Sequence, residues 1–398
     1  MDNKFDVIII GSGLGGLQCG YILSREGMKV CILEQHSQIG GCLQNFTRDN
    51  CVFDTGVHFI GGLDEGQVLN RYFKYFGLMD KLDLKRMDAN GFDTINFAGD
   101  PVEYKFAMGH EHFVDGLCHH FPSERKELEK YVGKLKDICN HFPLYSIREN
   151  EFQVSELQLF SENAFDYIRS VTHNRKLQNV LAGSNPLYAG IPEKTPLYVH
   201  ALVNNSFIES SWRVVKGSSH IATILAESII ENGGTIFKKS KVEEFIFDNK
   251  KLTGVKLTNG ESFFATNIIS SIHPAKTIEM VDRTKIRSAY RERILNLENT
   301  TSNFIMYIVF KKDAFEYLNH NVYYYKNNNV WYSHDVRGKG WPNNYLLITP
   351  SSEQQQNFAD CATILTYMSM DEVRRWEHTT IEHRGDDYQA FKQQKAEQ

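Results

Sequence analysis

Three glycines in G-x-G-x-x-G spacing, Gly11, Gly13 and Gly16, follow the apolar run Val7–Ile10 at once, and Leu17, Tyr21 and Ile22 continue at helical spacing. A strand, a glycine turn and a helix in that order aim free backbone N–H groups at a phosphate, and the helix dipole favours negative charge there. Each glycine has a steric reason. Gly11 permits the tight turn, Gly13 lets a pyrophosphate approach the backbone, and Gly16 lets the helix lie against the strand. Ser12, Leu14 and Gly15 complete the turn. Glu34 ends the next apolar run at about the expected ~20 residues, where a carboxylate accepts hydrogen bonds from an adenosine ribose. The chemistry so specified is the holding of a dinucleotide, against the alternative of a glycine-rich turn with no ligand.

Two more glycine clusters follow. Gln35 leads into Gly40-Gly41, a doublet through which backbone approaches a second part of a long cofactor. Gly56-Val57-His58 then sets another close approach beside a polar ring. His58 is the one residue singled out as a proton donor, with a structural hydrogen-bonding role as its alternative. No Ser-His-Asp or Cys-His nucleophile pattern appears, so hydrolysis fits poorly.

Composition narrows the class. A net charge of −5 with scattered basic residues gives no footprint for nucleic acid. Seven cysteines without a C-x-x-C pair argue against a disulfide framework and a structural zinc site. His110-Glu111-His112 and His119-His120 lack the spacing of H-E-x-x-H and an evident third ligand, so metal binding is not expected. The chain enters its first strand directly, leaving no room for a signal peptide, and no apolar run approaches the ~18 residues of a membrane span. The expectation is a cytoplasmic protein, with contact at a membrane surface left open.

The elements that must position these residues alternate in type. The helix after Gly11–Gly16 closes at Gly27, and Met28–Leu33 forms the second strand. From about Glu65 the character changes. Val68, Tyr72, Tyr75 and Phe76 fall at helical spacing, Phe92–Tyr104 reads as β, and Ser123 is the expected N-cap of a helix carrying Leu128, Val132, Leu135 and Ile138. Helices are expected over 161–181 and 197–209. Lys216-Gly217-Ser218-Ser219 opens a helix ending at Asn232-Gly233-Gly234, followed by strands at 235–237, 241–247, 254–257 and 261–269, with a hairpin turn at Asn259-Gly260. Residues 268–274 read as a strand returning to a parallel sheet. Further strands are expected at 303–310, 322–325, 330–333, 345–349 and 362–368. Tyr323, Tyr325, Trp331 and Tyr332 among them wall a pocket for a long apolar ligand, or equally an ordinary core.

Gly11–Gly16, Glu34, Gly40-Gly41 and Asp54-Thr-Gly-Val-His-Phe-Ile-Gly61 together resemble the flavin-dependent family of phytoene desaturases, carotenoid isomerases and retinol saturases, within the amine-oxidase-like flavoproteins. The resemblance implies an α/β fold, a Rossmann-like FAD domain interleaved with an α+β substrate domain. The division expected is 1–64 with 214–286 for FAD and 65–213 with 287–398 for substrate. It implies FAD as cofactor, held by Gly11–Gly16, Glu34, Gln35, Gly40, Gly41 and Gly56–His58, with adenine against the backbone at Val242. It implies hydride transfer at a carbon–carbon double bond of an apolar, carotenoid- or retinoid-like molecule, by desaturation, saturation or isomerisation, with His58 beside the flavin. NAD(P) enters as an optional external electron partner. Oligomeric state stays open. Relatives often carry Arg or Lys after the doublet, whereas Cys42 stands here. They also continue past the region of Gly385–Lys395 through a glycine-rich segment completing the flavin site, and no such segment follows Gly340. The competing expectations are an amine-oxidase-like flavoprotein acting on a C–N bond and an inactive nucleotide-binding remnant.

Overall fold

A computed structural model describes residues 4–147, 161–334, 340–353, 355–380 and 383–398. In chain order the strands of the first half are β1 (Lys4–Ile10), β2 (Val30–Leu33), β3 (Asn45–Arg48), β4 (Cys51–Asp54), β5 (Ile60–Gly61), β6 (Leu84–Arg86), β7 (Asp93–Phe97) and β8 (Tyr104–Phe106). Those of the second half are β9 (Ser211–Val214), β10 (Thr235–Phe237), β11 (Val242–Asp248), β12 (Lys251–Leu257), β13 (Ser262–Ser270), β14 (Ser302–Val309), β15 (Asn321–Tyr325), β16 (Asn344–Ile348) and β17 (Cys361–Met368).

The chain divides into two compact units, each gathered from separated stretches. The first comprises Met1–His58, Tyr72–Asp83 and Val214–Asn299, the second Phe59–Arg71, Leu84–Arg213 and Thr300–Gln398. The division read from sequence differs at three places, and each has a local cause. Ile60 and Gly61 pair with Trp212 and Ser211, which draws 59–64 into the second unit. Tyr75 and Phe76 pack edge-on against Tyr21, which holds 72–83 in the first. The helix Ser288–Leu295 is tied back by Arg291, which donates to the carbonyls of Ile278 and Val281.

The first unit is built on a six-stranded sheet in the order β10-β2-β1-β13-β12-β11. The first four strands run parallel, because helices connect them across the faces. Val7–Ile10 and Val30–Leu33 are buried throughout, as strands covered on both faces must be. The long β13 performs two expected tasks at once. Phe264 pairs with Gly254 in the hairpin and also with Lys4 in the parallel ladder, so the hairpin return and the returning strand are one element. The helices Leu14–Arg25 and Ser219–Glu231 cover the sheet. A Cβ at Gly20 would meet Ile32 at 2.8 Å and Ile229 at 3.0 Å, so that glycine sets how closely helix, strand and second helix approach. Gly27, at φ +81°, closes the first helix as its left-handed terminator.

The second unit has its own six-stranded sheet, β14-β17-β16-β15-β7-β8, antiparallel except for the parallel pair β15 and β7. Its core joins Ile95, Phe97, Tyr323, Tyr325, Leu346 and Ile348 to apolar residues of the helices Arg125–His141, Ala164–Val171, Arg175–Leu181 and Leu197–Glu209. Three local expectations need correction. Ser123 does not cap a helix: Pro122–Glu124 forms a 3-10 turn, and Glu124 takes the N-cap position without a side-chain cap. The span 161–181 is two helices, because Thr172 is extended and the Asn174 side chain accepts from Lys176 and Leu177 N–H to start a new helix. Val330–Tyr332 is a 3-10 turn rather than a strand. Tyr323 and Tyr325 are core residues of the sheet, whereas Tyr332 is 44% exposed.

Candidate functional site

The glycine turn of the first unit has the geometry its spacing demands. Gly11 sits at φ +94°, where an L side chain is strained, and a Cβ there would meet Ile272 at 2.8 Å. A Cβ on Gly16 would stand 2.1 Å from the Gly11 carbonyl, so only glycine lets the helix start so close to the strand end. Gly13 differs. It has an ordinary φ of −64°, and a Cβ there would meet no protein atom within 4 Å. Protein packing therefore does not require glycine at 13, and the space beside its backbone is open.

The helix Leu14–Arg25 begins at that open space with Gly13 as N-cap, no side-chain cap and no acid in its first turn. Its first N–H groups thus lack the capping a protein side chain would supply, which is the condition for receiving an anion. Leu14 is 42% exposed at the same point.

Ser12 and Glu34 lock the turn to the end of β2. Glu34, 6% exposed, accepts from the Ser12 N–H at 3.0 Å and the Ser12 hydroxyl at 2.5 Å through Oε2, and from the His36 N–H at 2.8 Å through Oε1. A carboxylate has about four acceptor positions, so capacity remains for a sugar hydroxyl. Gln35 beside it is exposed. The doublet arrives at the same place. Gly40 N–H donates to the Ser12 carbonyl at 2.9 Å, Gly13 and Gly40 form a parallel bridge, and a Cβ on Gly41 would lie 3.0 Å from Gly13 Cα. The segment preceding Val242 is also near, since Ser240 N–H donates to the Glu34 carbonyl at 2.7 Å. Val242 itself turns its side chain into the core with Phe5, Ile8 and Leu33.

Gly56 is pressed against the doublet's continuation, where a Cβ would stand 2.8 Å from the Cys42 carbonyl. Cys42 is exposed. Val57 and His58 are half-buried, and both His58 ring nitrogens are shielded from solvent.

Sequence reasoning missed one anchor, Asp54. Its Oδ1 accepts from the Ser218 N–H and hydroxyl, each at 2.8 Å, and so ties β4 to the start of the helix Ser219–Glu231. Asn45 of β3 adds a bond from its amide to the Ser219 hydroxyl at 2.7 Å. Gly217, at φ +100°, fits between these groups, for a Cβ would meet Asn45 at 2.7 Å and Asp54 at 3.1 Å. Burial raises the Asp54 pKa, and the two Ser218 donors oppose it. With the partners 164 positions apart, no local spacing announces the pair.

The histidine pairs are placed otherwise than a metal centre needs. His110 and His112 start the helix His110–His120 and His119 and His120 end it, while the His110 ring bonds the Asn205 side chain at 2.8 Å. Among the described residues no group of three His, Cys, Asp or Glu is placed to hold a metal ion.

The parallel sheet, the glycine turn and the acid at the second strand define a Rossmann-like dinucleotide-binding protein with a second, interleaved unit. Residues 9–76 match the model of the NAD(P)-binding Rossmann-like domain. The chain is 28% identical over 280 residues to the all-trans-retinol 13,14-reductase of Homo sapiens, covering 65% of this chain and 45% of that protein. It is 25% identical over 321 residues to the 4,4'-diapophytoene desaturase of a Methylomonas species, covering 77% and 61%. A putrescine oxidase structure with bound putrescine superposes with a TM-score of 0.61 at 13% identity, over 96% of this chain and 79% of that one, which is a likeness of fold. These likenesses support the flavin-dependent family of desaturases and retinol saturases. The chain spans about half the length of the Homo sapiens and Rattus norvegicus retinol reductases it matches.

No described helix is long and apolar enough to cross a membrane.

Proposed function

We propose that the first unit binds FAD and that the protein is an FAD-dependent oxidoreductase acting on a carbon–carbon double bond of an apolar, isoprenoid-like molecule. The observation that carries the reading is the open space at Gly13, faced by an uncapped helix start and bordered by Gly41. There the N–H groups of the turn take the pyrophosphate, the Glu34 carboxylate takes the adenosine ribose, and backbone near Ser240–Val242 borders adenine. Gly40-Gly41 and Gly56 let backbone run beside the rest of the cofactor.

Bound FAD supplies a two-electron carrier able to accept or give a hydride at carbon. This chain's own residues bind it, orient it and exclude water. His58, shielded from solvent at both ring nitrogens, is the residue proposed to hold a proton beside the flavin. The second unit is the proposed substrate domain, and NAD(P) is the proposed external electron partner. The names of the retinol reductase and desaturase relatives favour an isoprenoid double bond. The likeness to putrescine oxidase keeps oxidation at a C–N bond as the second reading.

Flavin content tests the reading: yellow protein releasing FAD on denaturation supports it, and colourless protein that takes up no added FAD overturns it.

A further inference from the structure

Within the second unit a cleft of about 1030 Å³ is lined by the helices Ala164–Val171 and Arg175–Leu181 and by the segment 328–332. Its size suits a small molecule. Side chains pin the frame. The Asn179 amide donates to the Arg175 carbonyl at 2.8 Å while its oxygen accepts the Val330 N–H at 3.0 Å, and the Gln178 amide donates to the Thr172 carbonyl at 2.7 Å. Lys176 is engaged as well, with Asp100 at 2.8 Å, with the Asn328 oxygen at 2.5 Å and over the Phe97 ring. The start of the second helix is closed, because the Asn174 side chain accepts from the Lys176 and Leu177 N–H groups.

Charge is left over on two arginines. Arg169 and Arg175 line the cleft and are exposed, and among the described residues neither guanidinium has a carboxylate partner. Arg169 lies instead over the Phe165 ring, 5.1 Å from its centroid. A guanidinium held against a ring keeps its planar N–H fork for an oxyanion, and phosphate matches that fork with two parallel hydrogen bonds. His173, also exposed, adds a ring donor to the same lining. Asp166 is the one acid among the described lining residues, so the cleft is cationic on a chain whose net charge is −5.

The rest of the lining is aromatic and amide. Phe165 meets Trp331 edge-on at 5.6 Å and Tyr332 edge-on at 6.4 Å, which fixes three rings together. Trp331 is 4% exposed, whereas Tyr332 is 44% exposed and offers a ring for stacking. Asn329, exposed beside it, supplies an amide that both donates and accepts. A hydrocarbon would leave both arginines unused, and a simple anion would leave the ring and the amide unused. A planar heterocycle joined to phosphate uses all of them.

We propose that this cleft binds a nucleoside diphosphate, its phosphates on Arg169, Arg175 and His173 and its base stacked on Tyr332. The site is additional to the cofactor site of the first unit and does not depend on the flavin reading.

Isothermal titration of FAD-saturated protein with ADP, inorganic pyrophosphate and adenosine tests it. ADP should bind at least about 10-fold more tightly than either of its parts, because the two halves reinforce each other. Arg169→Glu with Arg175→Glu should weaken ADP by about 30-fold or more with FAD content and Tm held, since both substitutions are at exposed positions. Tyr332→Ala should weaken ADP by about 5–10-fold and leave pyrophosphate unchanged. Absence of ADP binding overturns the proposal. Pyrophosphate bound as tightly as ADP also overturns it, because the cations alone would then account for the affinity. So does full ADP affinity in the arginine double variant, which would place the nucleotide elsewhere. Should the double variant not fold, Arg175→Glu alone is read by the same criteria. Protein that takes up no FAD is titrated as it stands: ADP binding that is lost with the arginines supports the cleft, while the missing FAD overturns the flavin reading alone.

Discussion

The Ser12 hydroxyl donates to Glu34 Oε2 at 2.5 Å, while the Ser12 carbonyl accepts the Gly40 N–H at 2.9 Å. One serine thus joins the acid at the end of β2 to the glycine doublet, and the arrangement of the proposed cofactor site depends on it. Ser12→Ala should leave the strands intact and reduce FAD affinity by about 3–10-fold, since the hydroxyl's bond to Glu34 is lost and the N–H bond remains. Titration of the apoprotein with FAD checks this, and unchanged affinity would detach Glu34 from cofactor binding.

Glu34→Ala should be more severe. It removes the proposed ribose acceptor and also the partners of two backbone N–H groups, Ser12 and His36. A loss of FAD affinity of about 10-fold or more is expected, with a stability loss of about 1–3 kcal/mol. Glu34→Gln, which keeps an acceptor oxygen, should recover part of both. FAD titration beside urea denaturation separates the two effects.

Gly13→Ala and Gly16→Ala should divide binding from folding. At Gly13 a methyl group meets no protein atom, so Tm should hold within a few degrees while FAD affinity falls. At Gly16 it would overlap the Gly11 carbonyl, and the protein should unfold or lose several kcal/mol. Equal Tm losses for the two variants would contradict the open space assigned to Gly13.

Asp93 should make the second unit pH-sensitive. Burial pushes its carboxyl up to about 7, against the pull of Asn321 and Arg213. The folded protein then keeps a proton that the unfolded chain releases near the ordinary carboxylate pKa of ~3.9. Stability is therefore full below about pH 4 and declines as pH rises toward 7, where the loss levels off. Asp93→Asn mimics the neutral form and keeps the acceptor for the Asn321 amide. Its stability relative to the native protein should improve between pH 4 and pH 8, by an amount on the order of 4 kcal/mol, read from urea midpoints. A constant difference across that range would mean that Asp93 is ionised throughout.

Much of the first unit was legible because its signals are local. Gly11 and Gly16 meet the steric demands their spacing implies, Gly13 faces open space, and Asn259-Gly260 turns the β12–β13 hairpin. The Asp49-Asn50 turn between β3 and β4 was equally local, with φ values of +48° and +63°, and went unread. Asp54 and Ser218 were beyond reach for another reason: their bond joins distant stretches, and nothing in either sequence names the other. The second unit was less legible. Val330–Tyr332 has the β-branched and aromatic composition of a strand, yet tertiary packing folds it as a 3-10 turn. For Tyr323 and Tyr325 the sequence leaves pocket wall and core both open, because alternation reveals a buried face but not what covers it.

The central claim is that the space beside Gly13 is a cofactor site, and the most direct measurement is the FAD released per chain when native and Gly13→Ala proteins, both saturated with FAD and freed of excess, are denatured. The account predicts close to one FAD per native chain and a large deficit in Gly13→Ala at unchanged Tm. Native protein without FAD, or a Gly13→Ala protein that retains it in full, would contradict the account.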